Sequence, residues 1–117
     1  MKVDSALKQY VAVLCPAGKL LTKIRVLSDA DFVESAEIAA ELRKPIEQVL
    51  VNSCYVTSLQ LGNASRAHQY VEREILSERQ ALCVLYMACQ KDIPFETALT
   101  LMGTAGAHAS FAAVYTS

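Results

Sequence analysis

Apolar residues recur along this chain every three or four positions, which is the spacing of one helical face. The clearest stripes consist of Leu20, Leu21, Ile24 and Leu27, of Val51, Tyr55, Ser58 and Leu59, and of Leu82, Leu85, Tyr86 and Cys89. A half-buried strand would instead alternate apolar and polar residues, and the sequence contains no series of such segments. The pattern predicts an all-α fold.

Turn and capping residues divide this pattern into short helices. Ser28 can cap a helix that begins just after it. Pro45 ends that helix, because the residue before a proline is disfavoured in the α region. Gly62 and its neighbour Asn63 predict a turn, Ser77 can open a further helix, and residues 91–94 break the pattern again.

An internal repeat accounts for part of this spacing. Ala36, Ala67 and Ala98 lie 31 residues apart, and the same offset superposes other apolar positions. These are Leu20 with Val51 and Leu82, Ile24 with Tyr55 and Tyr86, and Ala40 with Val71 and Met102. Each unit would be a helix pair whose second helix opens near Val33, Ala64 or Phe95, and the units would stack to bury their apolar faces. A plain helical bundle with coincidental spacing is the alternative.

The chain length of 117 residues is typical of one domain. Residues 16–18 contain a proline and a glycine, which predicts an N-terminal extension over residues 1–16, itself helical, followed by one domain over residues 17–117. In the C-terminal tail, Phe111, Val114 and Tyr115 predict a capping helix with little charge. Because solenoid ends normally carry a polar outer face, this tail either docks on the last unit or covers an interface.

Composition adds one informative deviation. Hydrophobic residues make up 53% of the chain and charged residues 20%, against roughly 25% charged in an ordinary soluble domain. The surplus of hydrophobic residues either forms an exposed apolar patch, which usually marks a partner site, or fills an alanine-rich core.

Charge and cysteine usage exclude several functional classes. The net charge of −1 gives no basic footprint for nucleic acid. The longest apolar run, residues 81–89, is about half the length that spans a bilayer, and the N-terminus does not fit a signal peptide. Four cysteines show neither a CxxC pair nor a histidine at ligand spacing. We therefore expect a cytoplasmic protein without a metal or a cofactor.

Candidate catalytic residues are sparse. His68 and Glu72 are four residues apart on a predicted helix, where a solvated ion pair is routine. Ser110 and His108 lack an orienting acid at suitable spacing. The sequence favours a binding protein over an enzyme.

Residues 54–72 resemble the middle of a tetratricopeptide repeat, which has a glycine at the interhelical turn, then a small residue and then an apolar one. Gly62, Ala67 and Val71 match those positions. The resemblance implies a short right-handed solenoid of about three tetratricopeptide-like helix–turn–helix repeats. The individual repeats would be degenerate and shorter than usual. About three repeats are needed for a stable stack.

From Leu20 onward, the layout is similar to that of tetratricopeptide-like chaperones of the needle subunit in bacterial type III secretion systems. The similarity lies in the order of the segments. A short apolar helix at 20–24 is followed by an acidic, alanine-rich helix at 33–42. The Gly62 hairpin comes next, and then a helix with the sequence Ala-Leu-Cys-Val-Leu-Tyr at 81–86.

This resemblance implies a specific function. Such a chaperone, in the bacterial cytoplasm, binds the amphipathic C-terminal helix of the needle subunit in a concave groove and prevents premature polymerisation. A small helical co-chaperone is a further implied partner. The alternative is a tetratricopeptide-like scaffold, or a chaperone for another secreted protein such as a translocator.

Helix-in-groove binding requires a concave apolar surface, and in such a repeat the first helix of each pair lines it. The repeat register then predicts the partner-binding residues Leu21, Arg25, Val49, Asn52, Val56, Leu59, Gln60, Gln80, Cys83, Met87 and Gln90. For each of these residues, the alternative is a core contact with the next helix.

Overall fold

The described residues of this chain form helices joined by short connections. The computed structural model describes residue 11 and residues 13–104, and no strand occurs among them. The helices are α1 (Pro16–Lys23), α2 (Asp29–Leu42), α3 (Ile46–Asn52), α4 (Ser58–Glu72), α5 (Glu78–Lys91) and α6 (Phe95–Thr104). The predicted all-α class is confirmed.

The two predicted terminal segments lie largely outside this description. The capping helix around Phe111, Val114 and Tyr115 is beyond the described residues, as is most of the extension over residues 1–16. The helical structure is interrupted at Cys15, and Pro16 begins α1, so that residues 16–18 form its first turn. Proline is favoured at the first position of a helix, where its missing N–H would have had no helical partner.

One type of connection occurs three times among the described residues. A residue with positive φ (Arg25 at 63°, Cys54 at 62° and Glu74 at 58°) ends a helix. Two apolar residues and a serine or threonine follow, over residues 25–28, 54–57 and 74–77. The hydroxyl oxygen of that last residue accepts a hydrogen bond from the backbone N–H three residues on, at 3.0 to 3.1 Å. The predicted caps at Ser28 and Ser77 are therefore confirmed.

A second type of connection contains proline. Arg43 and Asp92 adopt positive φ, and Pro45 and Pro94 follow two residues later. Each proline directly precedes the next helix. The breaks predicted at residue 45 and at residues 91–94 are confirmed, because proline cannot donate the backbone hydrogen bond that would continue the preceding helix.

The turn predicted at Gly62 and Asn63 is wrong. Both residues lie inside α4, which begins at Ser58. The helix start is fixed upstream by Thr57 and Gln60, whose side chains each accept from the other's backbone N–H. A glycine inside a helix costs only about 1 kcal/mol relative to alanine, so this reciprocal cap prevails over the glycine.

The connection pattern repeats with an offset of 49 residues rather than 31. This offset superposes Ser28 on Ser77, Arg43 on Asp92 and Pro45 on Pro94. The helix starts predicted near Val33 and Ala64 are correspondingly displaced to Asp29 and Ser58, and only the start at Phe95 agrees.

Helix α4 is central to the packing. It contacts α5 and α1 most extensively, and it also touches α3 and α6. In a solenoid, each repeat contacts only its neighbours, whereas here α1 packs on a helix that comes three helices later in the chain. The described helices thus confirm the fold class, and a solenoid of tetratricopeptide-like repeats is not confirmed.

The core lies between these helices. Its largest fully buried side chains are Phe95, Leu21, Leu50 and Leu85. The Phe95 ring lies 5.3 Å from the Tyr70 ring, centroid to centroid. No helix of the described part of the chain is long and apolar enough to cross a membrane.

Two glycines should respond oppositely to alanine substitution. A Cβ at Gly18 would overlap the ring of Phe32, which is buried, whereas a Cβ at Gly62 would meet no atom within 4 Å. We expect Gly18→Ala to lower the free energy of unfolding, since overpacking typically costs about 1–3 kcal/mol. Gly62→Ala should raise it by about 0.5–1 kcal/mol. Urea unfolding of both variants checks this, and a stabilised Gly18→Ala would contradict the close contact between α1 and α2.

Candidate functional site

A groove lies where α1, α2, α4 and α5 meet, and we call it the axial groove. Its volume is about 670 Å³. Its floor is apolar and includes Leu20, Phe32, Val33 and Val71, and its rim carries Lys19, Lys23, Asp29, His68, Glu72 and Glu78. The volume is within the range of about 300–1,000 Å³ that is typical of ligand-binding clefts.

The floor is formed by residues that serve the core at the same time. Leu20 on α1 and Phe32 and Val33 on α2 are almost fully buried, whereas Val71 on α4 is only half-buried. Helical spacing places Val71 one turn after Ala67, which is fully buried against the neighbouring helices. Val71 is therefore the floor residue that can be changed with the least damage to the fold.

Two contacts between basic and acidic side chains lie on the rim. The Lys23 ammonium lies 2.7 Å from a carboxylate oxygen of Glu78 and connects α1 to α5. His68 Nε2 lies 3.3 Å from Glu72 Oε1 within α4. Because all four side chains are at least one-third exposed, these pairs contribute little to stability. They leave a rim whose charges are largely balanced.

The axial groove lies at the junction of the two halves related by the 49-residue offset. That offset superposes Lys19 on His68, Thr22 on Val71, Lys23 on Glu72 and Asp29 on Glu78, and all of these residues line the groove. The first half thus contributes lysines where the second contributes a histidine and a glutamate. An occupant would contact equivalent positions of both halves.

The groove offers apolar surface more than directed polar groups. The Thr22 hydroxyl donates to the carbonyl of Lys19 at 2.6 Å, and Lys23 and His68 are paired as described. A ligand that must be oriented by several hydrogen bonds would find few such groups here. An occupant with an apolar stripe between charged flanks fits this surface well.

The axial groove contains few side chains that could act in catalysis. His68 and Glu72 form the acid–base pair considered from the sequence, and the second candidate pair, His108 with Ser110, lies outside the described residues. Thr22 is the lining residue with a hydroxyl, and it already donates to a backbone carbonyl. Among the residues that the structure describes, no group of histidine, cysteine and acidic side chains could hold a metal ion.

Burial favours the protonated thiol at Cys15, Cys83 and Cys89. Burial raises the pKa of Cys15 to about 11, and the thiol donates to Glu47 Oε2 at 3.6 Å. Burial also raises the pKa of Cys83 and of Cys89. Because the thiolate is the nucleophile and the metal ligand, the raised pKa of these three thiols lowers their nucleophilicity and their affinity for a metal.

The residues predicted to bind a partner do not form one surface. Leu21, Val49 and Val56 belong to the core, so a partner could reach them only by displacing their neighbours. Gln60 and Gln80 are engaged in helix caps through their side chains. Asn52, at the end of α3, is exposed, and Leu59, at the start of α4, is half-buried.

The remaining predicted residues lie at or near a second groove. This lateral groove, of about 470 Å³, is lined by Lys23, Ile24, Arg25, Leu82, Cys83, Tyr86 and Met102. It brings together Arg25 and Cys83, which the sequence had placed on one face. Met87 and Gln90 continue along α5 at helical spacing, and Gln90 Nε2 donates to the Tyr86 hydroxyl at 2.9 Å.

None of the predicted residues lines the axial groove. The 31-residue register assumed a hairpin at Gly62, and it selected residues on other faces than the one that lines this groove. The recurring sequence of two apolar residues followed by serine or threonine, at 26–28, 55–57 and 75–77, could have indicated the correct connections.

Comparison of this chain with protein-family models, with curated proteins and with solved structures gives no match. Its function is therefore argued from the geometry of the grooves.

Proposed function

We propose that this chain is a protein-binding module whose axial groove holds an amphipathic helix of a partner. One observation carries the proposal, namely a groove between charged rims whose apolar floor reaches the surface at the half-buried Val71. A helix that lays its apolar face into such a groove removes that floor from water, which is favourable by roughly 25 cal/mol per Å² of apolar surface.

The rim fits an occupant of mixed charge. Lys19 forms no ion pair within the described part of the chain, and it lies on α1, whereas Glu72 lies on α4. A bound helix with an acidic flank beside α1 and a basic flank beside α4 would meet opposite charges on both sides. Complementary charges of this kind fix orientation and speed association more than they add affinity.

The sequence resemblance supplies a candidate for the partner. It identifies the bound helix as the C-terminal helix of a type III secretion needle subunit, in the bacterial cytoplasm and with a small helical co-chaperone as second partner. This identification has the order of the apolar helix at 20–24, the acidic helix at 33–42 and the helix at 81–86 as its support, without the Gly62 hairpin, which lies inside a helix. The binding is a holding function and requires no catalytic group.

Binding of a synthetic peptide with the sequence of the needle subunit's C-terminal helix tests the proposal. Val71→Glu should weaken that binding by about tenfold or more, since burying a valine contributes about 1.5 kcal/mol and 1.4 kcal/mol corresponds to a factor of ten. Fluorescence anisotropy with the labelled peptide measures the effect.

Matched variants define the possible outcomes. Ile75→Glu changes an exposed apolar residue outside the axial groove and should leave the affinity unchanged. A peptide affinity that survives Val71→Glu would exclude the axial groove. If the chain binds a translocator but not the needle peptide, the alternative function as a chaperone of another secreted protein would be supported.

A further inference from the structure

We draw no further inference here: the strongest candidate, the lateral groove between the end of α1 and α5, has the exposed cations Lys23 and Arg25 in its lining, and nothing in the structure shows what covers it.

Discussion

Val56→Glu should strongly destabilise the whole fold rather than abolish partner binding alone. Val56 is 3% exposed and stands just before the N-cap Thr57, in the connection between α3 and α4. An ionised carboxylate at this position would have no charged partner in the core. The expected loss is about 4 kcal/mol or more, against a total stability of about 5–15 kcal/mol for a natural domain.

Met87→Glu is the matched variant for this prediction. Met87 is half-buried on α5, so a glutamate there can turn its carboxylate toward water. We expect a stability within about 1 kcal/mol of the parent chain, as is usual away from the core. Thermal unfolding followed by circular dichroism measures both variants. A folded Val56→Glu with normal stability would restore Val56 as a surface residue and contradict its burial.

These two variants matter for any test of partner binding. From the sequence, Val56 and Met87 both belonged to the groove, and the two glutamates together would have been read as a binding defect. The structure separates them, because one residue is in the core and the other is half-buried. A loss of binding in the double variant would therefore report unfolding rather than the location of the groove.

The local structure of this chain could be predicted well from its sequence. Ser28, Ser77 and Pro45 act through short-range chemistry, a hydroxyl that accepts from a nearby N–H or a ring that cannot donate. Such effects depend on a few neighbouring residues, and they set helix boundaries as expected.

The conformation of Gly62 could not be predicted from its immediate neighbours. A glycine permits a turn but does not impose one, and the outcome depends on what its neighbours bind. Thr57 and Gln60 fix the helix start upstream, while Asn63 is drawn into the core by hydrogen bonds to residues 93 and 95. The hydrogen bonds of Asn63 join residues about 30 positions apart, and the spacing of apolar residues does not reveal such contacts.

The position of the candidate site also depended on long-range packing. Helical spacing correctly placed Cys83, Met87 and Gln90 along one face of α5. It did not indicate that α1 packs on α4, and this contact creates the axial groove from Leu20 and Val71. Apolar stripes of similar length look alike in the sequence, so the sequence alone does not show which two helices pack against each other. That pairing is determined by the packing of the whole chain.

Asn63→Leu should cost about 2–5 kcal/mol, because one side chain serves two backbone groups that the fold cannot otherwise satisfy. Asn63 is buried. Its Nδ2 donates to the carbonyl of Ile93 at 2.8 Å, and its Oδ1 accepts from the N–H of Phe95 at 2.7 Å. Phe95 begins α6 directly after Pro94, which has no side-chain group to cap the helix. Asn63 therefore acts as an N-cap supplied from α4, and each buried group left without a partner costs about 1–3 kcal/mol.

Asn63→Asp separates the two hydrogen bonds. An aspartate keeps the acceptor for the Phe95 N–H, and a carboxylate at a helix N-terminus is favourable. It loses the donor and sets a second oxygen against the Ile93 carbonyl. We expect a free energy of unfolding between those of the parent chain and Asn63→Leu, and a partial recovery as the pH falls and the carboxyl regains a proton that can be donated. Urea unfolding at neutral and acidic pH measures both effects. Equal stability of the leucine variant and the parent chain would mean that α6 is not anchored through Asn63.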